Sequence, residues 1–327
     1  QLKKVRAIKD KLAKVQKVIV FGNAGELQEG EIHVDDVLKM GDEFLKKHSM
    51  EEFLAVGQSI VNDDIATITY TSGTTADPKG VMLTHRNYTA NVEQALTLVP
   101  IDQTWRTLII LPLDHCFAHV VGFYIMMSCG ATAATVQVGR TGLETLKNIP
   151  LNIKEVRPHF ILSVPSLAKT FKKNIEGAIR AKGKFTETLF NWGMAVRQKY
   201  YGESSLDSKG MRVLLKPLVA LFDKLIFDKV RANFGGELRF FIGGGALLDK
   251  DMQNFYLGVG MPMFQGYGLS EATPVISSNG PELYRFGSSG KLVKPIELKI
   301  CDADGKELPV GELGEIVVKG ENVMAGY

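Results

Sequence analysis

From Tyr70 to His85 the chain reads YTSGTTADPKGVMLTH, a set of residue types suited to holding an anion. Thr71, Ser72, Gly73, Thr74 and Thr75 offer consecutive backbone N–H groups and four hydroxyls, and Gly73 lets the backbone approach a ligand closely. Lys79 adds a point charge suited to phosphate, and Gly80 after it lets the chain leave the turn. The spacing is not that of a Walker A loop, in which Ser or Thr directly follows the lysine. A second cluster, FQGYGLSEATP from Phe264 to Pro274, sets Tyr267 between Gly266 and Gly268 as an aromatic able to stack on a base. Ser270 there offers a hydroxyl to a phosphate oxygen, and Glu271 is a hard carboxylate suited to Mg²⁺. Upstream, IGGGALL from Ile242 to Leu248 is a flat glycine turn able to line a planar ring through its backbone. Taken singly, each of these stretches also reads as an ordinary tight turn.

The elements around them alternate. KVIVFG, RTLIILPL, ATAATVQV, HFILSV, LRFFIGGG and MPMFQGYG read as strands, and DIATITY, with its alternating residues, reads as a buried strand. Between them, HVDDVLKMGDEFLKKH, HRNYTANVEQALTLV capped by Thr84, AHVVGFYIMMSC closed by Gly130, and a segment starting near Pro165 read as helices. The opening QLKKVRAIKDKLAKVQ carries a charged helical pattern. This alternation predicts an α/β fold, layered sheet with helices on both faces, and places ligands at the carboxyl ends of strands, here the loops after Tyr70, Leu111, Ile242 and Gln265. Two regions depart from the rhythm. Residues 171–234 are helical and basic, with thirteen Lys/Arg against six Asp/Glu, a net of +7. They read either as solvated helices packed by one face or as a surface that meets an anionic membrane or an acyl-carrying partner. From about Ser289 the pattern turns to β, with an Asp304-Gly305 turn signal. The expected division is a core over residues 1–288 and a small β subdomain over residues 289–327.

With 39 Lys/Arg against 36 Asp/Glu, the charge is close to balanced and gives no indication of nucleic acid. Cys116, Cys129 and Cys301 are sparse and lack metal-ligand spacing, which favours a reducing compartment. His115, Cys116 and His119 lie close together, but no second matching cluster completes a metal site. No apolar run approaches the ~20 residues needed to cross a bilayer. The expected location is cytoplasmic, with a peripheral membrane contact through the basic helices as the alternative. The absence of an initial Met and an end directly after a strand-like run predict an excised piece of a longer protein.

YTSGTTADPKGV, LPLDHCF, IGGGALL and GYGLSEATP, in that order and spacing, resemble the adenylate-forming enzyme superfamily, and within it the chain is most similar to long-chain fatty-acid–CoA ligases. The likeness continues through RFGSSGKLVKPIELKICDADGKELPVGELGEIVVKGENVMAGY. The resemblance implies ATP, Mg²⁺ and coenzyme A as co-substrates and cofactor, and a fatty acid as the acid activated. It places the phosphate loop on Thr71 to Thr75 and Lys79, and the adenine platform on Tyr267 and Gly268 with the Gly244-Gly245-Ala246 backbone at the ring edge. It places the α-phosphate contact on Ser270, where many relatives have Thr, the Mg²⁺-associated carboxylate on Glu271, and a residue beside the acyl carboxylate on His115. The family's ribose-binding Asp and its mobile C-terminal domain with a catalytic Lys have no counterpart in this sequence, so the expectation is a core inactive alone. Competing classes are weaker. A hydrolase elbow at Ser270 has Ala272 where a Gly belongs and no His after His159. A non-catalytic nucleotide-binding scaffold would not need the carboxylate of Glu271. A ligase for medium-chain acids and an ATP-independent membrane-binding module complete the alternatives.

Overall fold

A computed structural model of the chain describes residues 1–23, 25–71, 77–207 and 210–327, with the backbone alone at Met211. Of the expected site residues, Ser72, Gly73, Thr74 and Thr75 lie outside the described residues. The chain divides into two compact units, Gln1–Val61 and Asn62–Tyr327.

The first unit contains α1 (Leu2–Ala7), a parallel pair of strands β1 (Val18–Val20) and β2 (Glu31–His33), α2 (Val34–Leu45) and α3 (Met50–Gln58). The helix expected across the first sixteen residues ends at Ala7 and continues only as a 3₁₀ turn, Lys9–Lys11. Neither end of α1 gains a side-chain cap at its N-terminus or a buried face, so little opposes fraying. Arg6 instead grips Glu31 through Nε at 2.8 Å and Nη2 at 2.7 Å, which holds the Glu31 carboxyl down to about 2. Ser49 and Glu52 form a capping box that starts α3.

The second unit opens with an antiparallel hairpin, β3 (Ile65–Thr71) and β4 (Lys79–Thr84), in which Tyr70 pairs with Gly80 and Thr71 with Lys79. β3 is not the buried sheet strand that its alternation predicts. Among the described residues it pairs only with β4, and Ile65, Ile68 and Tyr70 are 50%, 53% and 73% exposed because the two-stranded ribbon buries one face, the one carrying Val81 and Leu83. Thr84 then caps α4 (His85–Leu96), its Oγ1 accepting from Asn87 N at 3.2 Å while Asn87 Oδ1 accepts from Thr84 N at 2.9 Å.

The main sheet has seven strands in the order β11-β10-β9-β8-β7-β5-β6. They are β5 (Arg106–Ile109), β6 (Thr132–Thr135), β7 (Phe160–Ser163), β8 (Phe240–Gly243), β9 (Met263–Gly268), β10 (Val275–Ser278) and β11 (Lys291–Leu292). β5 to β9 run parallel, and β10 and β11 complete one edge antiparallel. Parallel strands need crossovers, supplied by α6 (Gly142–Val156) before β7, by α7 (Pro165–Arg180), α8 (Lys184–Tyr201), α9 (Gly210–Phe222) and α10 (Asp228–Ala232) before β8, and by α11 (Lys250–Val259) before β9. A π-helical run, Ala118–Tyr124, leads into α5 (Ile125–Ser128) on the way to β6.

Both faces of the sheet are buried, so its strands are continuous apolar runs whose period of two sorts the side chains. Phe160, Leu162, Phe240 and Phe264 face the core built with Val81, Leu83, Tyr88, Val120, Val121 and Ile125. Ile161, Phe241 and Met263 face the opposite core, where the basic helical segment contributes Phe171, Ile175, Phe190, Met194, Phe222 and Phe227. Arg197 is the charged exception in that core: it is 2% exposed, ion-paired with Asp223, and donates from Nε to Gly258 O at 2.6 Å.

After the sheet, β12 (Glu297–Cys301) and β13 (Glu315–Lys319) pair antiparallel in a sheet of their own. Asp304-Gly305 makes the expected tight turn, with Gly305 at φ +80° and Asp302 Oδ1 accepting from Lys306 N at 2.9 Å. The chain folds straight back on the end of β12, with Asp302 N donating to Lys306 O at 3.0 Å and Leu308 N to Ile300 O at 2.7 Å, before β13 makes the longer ladder. No helix among the described residues is long and apolar enough to cross a membrane.

Candidate nucleotide and acyl site

The carboxyl ends of β8 and β9 meet at a cavity of about 210 Å³. Part of its lining is backbone and polar groups: Gly244, Gly245, Tyr267, Gly268, Ser270 and His115. Another part is apolar, from Leu98, Val99 and Ile101 after α4, Phe117, and Val121 and Ile125 from the π-helical run and α5. The arrangement therefore offers a platform for a flat polar ring beside space for an apolar group. Of the expected site residues, six converge here. Ala246 is not on the cavity wall; its carbonyl faces Gln265 Nε2 at 3.4 Å.

Gly245 sits at φ +78°, which lets the chain turn sharply after β8 without a side chain in the cavity. Gly268 is required for a different reason. A Cβ there would lie 1.9 Å from the carbonyl oxygen of Pro274, because the returning β10 pairs antiparallel with β9 here, Val275 opposite Gly268. Thr273, fully buried at φ +63°, closes the Ser270–Ala272 turn, and its hydroxyl donates to Asn322 O at 2.6 Å.

Lys79 and Glu271 belong to a second arrangement beside the cavity. The Tyr327 hydroxyl donates to Glu271 Oε1 at 3.0 Å, and Lys79 Nζ lies 5.0 Å from the centre of the same ring. Donating this hydrogen bond to the carboxylate stabilises the protonated phenol and pushes Tyr327 up from its usual range. Thr71, half-buried, stands opposite Lys79 in the hairpin register, so the two ends of the hydroxyl-rich loop are held together. The Cys116 thiol donates to Thr69 Oγ1 at 3.9 Å, and burial pushes that thiol up and away from reactivity. His115 Nδ1 accepts from Phe117 N at 3.2 Å, so Nε2 is the ring nitrogen left to face a ligand.

Sequence reasoning missed the residues that hold these parts in place. Gln265, 5% exposed, accepts at Oε1 from Leu248 N at 2.7 Å and donates from Nε2 to Gly266 O at 2.6 Å, tying the glycine turn to β9. Asn91 of α4 satisfies both backbone groups of Val275, at 3.0 and 2.8 Å. The segment Glu321–Tyr327 straps the site: Met324 N donates to Glu271 O at 2.9 Å, Asn322 Nδ2 to Ala272 O at 2.8 Å, and Met82 N to Gly326 O at 3.0 Å. An amide in the middle of an apolar strand, as at Gln265, is the one local signal that could have pointed to such a role.

The whole chain, residues 1–327, matches the family described as AMP-binding enzyme. The chain belongs to that family. It is 32% identical over 294 residues to the long-chain-fatty-acid–[acyl-carrier-protein] ligase AEE15 of Arabidopsis thaliana, covering 83% of this chain and 39% of that one. It is 31% identical to the long chain acyl-CoA synthetase 8 of the same plant, covering 100% of this chain and 46% of the synthetase. The chain thus spans less than half the length of these curated relatives. In fold it is similar to the anthranilate CoA ligase AuaEII crystallised with anthranoyl-AMP, with a TM-score of 0.63 at 19% identity, covering 99% of this chain and 50% of that one. The AMP-binding enzyme fold accounts for the layered α/β arrangement with a short β pair after it.

Proposed function

We propose that this chain is the nucleotide- and acyl-binding core of a ligase that activates a long-chain fatty acid with ATP. The fatty carboxylate attacks the α-phosphorus, giving acyl-adenylate and pyrophosphate, and the thiol of coenzyme A then displaces AMP to give the thioester. The observation that carries this reading is the lining of the cavity at the ends of β8 and β9, which combines the glycine backbone, Tyr267, Ser270 and His115 with the apolar Leu98, Val99, Ile101, Phe117, Val121 and Ile125.

The roles follow from chemistry. Tyr267 stacks on adenine, with the backbone of Gly244 and Gly245 at the ring edge and Ala246 supporting the turn. Ser270 donates to the α-phosphate. Thr71, the hydroxyl loop after it and Lys79 take the outer phosphates, and His115 faces the acyl carboxylate. Both reactants are anions, so the residues accelerate the first step by holding them in line and neutralising charge. Glu271 fits Mg²⁺: its Oε1 is engaged by Tyr327, and its Oε2 accepts no hydrogen bond from a described residue, leaving a hard oxygen donor. Bound there, Mg²⁺ would supply charge neutralisation at the phosphates.

At about 210 Å³ the cavity is below the ~300–1,000 Å³ of most ligand sites, so the long-chain label rests on the named relatives rather than on volume. The test is pyrophosphate release from Mg-ATP by the protein at its natural length, with palmitate, octanoate and acetate compared. Palmitate-stimulated release supports the reading, stimulation by octanoate alone replaces it with a medium-chain ligase, and no acid-dependent release in a protein that binds ATP favours a non-catalytic scaffold. The similarity to an acyl-carrier-protein ligase gives a second reading for the acceptor. Supplying preformed acyl-adenylate with coenzyme A or with a phosphopantetheinylated carrier protein separates the two.

A further inference from the structure

A second cavity, of about 460 Å³, lies against the other face of the main sheet, enclosed by α6, α7, α8 and α10. Its interior is apolar, with Ile153, Phe171, Ile175, Ile179 and Phe234 all buried. Its lining includes three exposed lysines, Lys154, Lys182 and Lys229, and not a single carboxylate. None of the three is in an ion pair with a described residue. The acidic side chains of α7 and α8 are engaged elsewhere, Glu176 with Lys172 and Arg180, and Glu187 with Arg180.

An apolar chamber of this size is within the ~300–1,000 Å³ range of ligand sites, and unpaired cations at its walls select the ligand's charge. We propose that this cavity is a ligand site, separate from the activating site, for a single-chain anionic amphiphile such as a long-chain carboxylate. The tail lies among Ile153, Phe171, Ile175, Ile179 and Phe234, and the head group meets Lys154, Lys182 and Lys229. Concavity selects a single molecule over a lipid surface, because the apolar groups are recessed where a bilayer face cannot reach them. The proposal does not depend on the activation reaction, since the two cavities face different cores.

The experiment is equilibrium dialysis of radiolabelled palmitate, below its micellar concentration and without ATP, against the protein at its natural length. The activating site is saturated with palmitoyl-sulfamoyl adenosine. One palmitate per chain is expected to remain bound. Lys154→Glu/Lys182→Glu/Lys229→Glu should weaken it at least about tenfold, the combined effect of three exposed charge pairs. Ala178→Phe, at an exposed position on the cavity wall, should block it, and methyl palmitate should compete poorly. All substituted positions are exposed, and unchanged thermal melting confirms folding. Palmitate binding that is absent in the blocked wild type, or unaltered by both variants, overturns the proposal. So does a lysine variant that loses binding to anionic phosphatidylserine vesicles while retaining palmitate, which would make the patch a membrane contact.

Discussion

The Tyr327 hydroxyl donates to Glu271 Oε1 at 3.0 Å, across 56 residues of sequence. The same ring lies under Lys79, so a strap residue joins the cation at the start of β4 to the carboxylate after β9. Glu271 is thereby held by one oxygen, and in the proposed function the other is the oxygen that meets the cation. Tyr327→Phe keeps the ring under Lys79 and removes only the hydroxyl. The expected result is a fall in kcat for pyrophosphate release of up to about tenfold, with KM for ATP little changed, since the bond orients a group rather than binding nucleotide. An unchanged kcat together with an unchanged Mg²⁺ dependence would remove Tyr327 from the site.

Glu271→Ala removes the carboxylate itself. Losing a preorganised electrostatic group of this kind costs about 10²–10³ in turnover, and nucleotide affinity measured without acid should hold. Turnover equal to wild type would show that the carboxylate is structural.

Gly268→Ala introduces a methyl 1.9 Å from Pro274 O, a clash with backbone that no rotamer relieves. The antiparallel pairing of β9 with β10 must open at this point, carrying Tyr267 with it. AMP binding, followed by calorimetry, should be lost along with stability. Gly305→Ala, at a turn with φ +80° and open space around it, is the control for strain without a clash and should leave AMP binding intact.

Gln265→Leu keeps volume but leaves the buried Leu248 N–H without its acceptor. A buried donor so orphaned costs about 1–3 kcal/mol, to be read from the urea midpoint. Because the same amide fixes the glycine turn, AMP affinity should fall as well. Stability lost with affinity retained would place Gln265 in folding alone.

His119 stacks on Tyr124 at 4.6 Å, and burial lowers its pKa below the usual 6.5. The unfolded chain therefore takes up this proton first, and the native state loses stability as pH falls from about 6.5 toward the depressed native value. His159 is lowered too, by burial and by Arg106 and Arg239, so the wild type carries both contributions. His119→Phe should reduce the drop in urea midpoint between pH 7 and pH 5.5 without abolishing it. An identical drop in the variant would show that His119 contributes nothing to this pH dependence.

Much of this molecule was legible in its residues. Strands such as HFILSV and LRFFIGGG are apolar runs bounded by turns, and the cap at Thr84 and the helix-opening Pro165 are local chemistry, so the elements and the layered α/β class follow from periodicity and short-range preferences. The glycines around Tyr267 could likewise be seen, because a turn that brings backbone close to a ligand has few alternatives in sequence. What tertiary structure alone decided is non-local. Alternation in DIATITY indicates a strand, but whether Ile68 is buried depends on what covers the hairpin, and no described residue buries that side. Gln265 and Asn91 look like misplaced polar residues until the backbone groups they satisfy, from Leu248 and Val275, arrive from elsewhere in the chain. The contact of Tyr327 with Glu271 and Lys79 depends on a strap that crosses three elements. The sequence determines which groups can form hydrogen bonds, and only the packed chain determines which of them are close enough to do so.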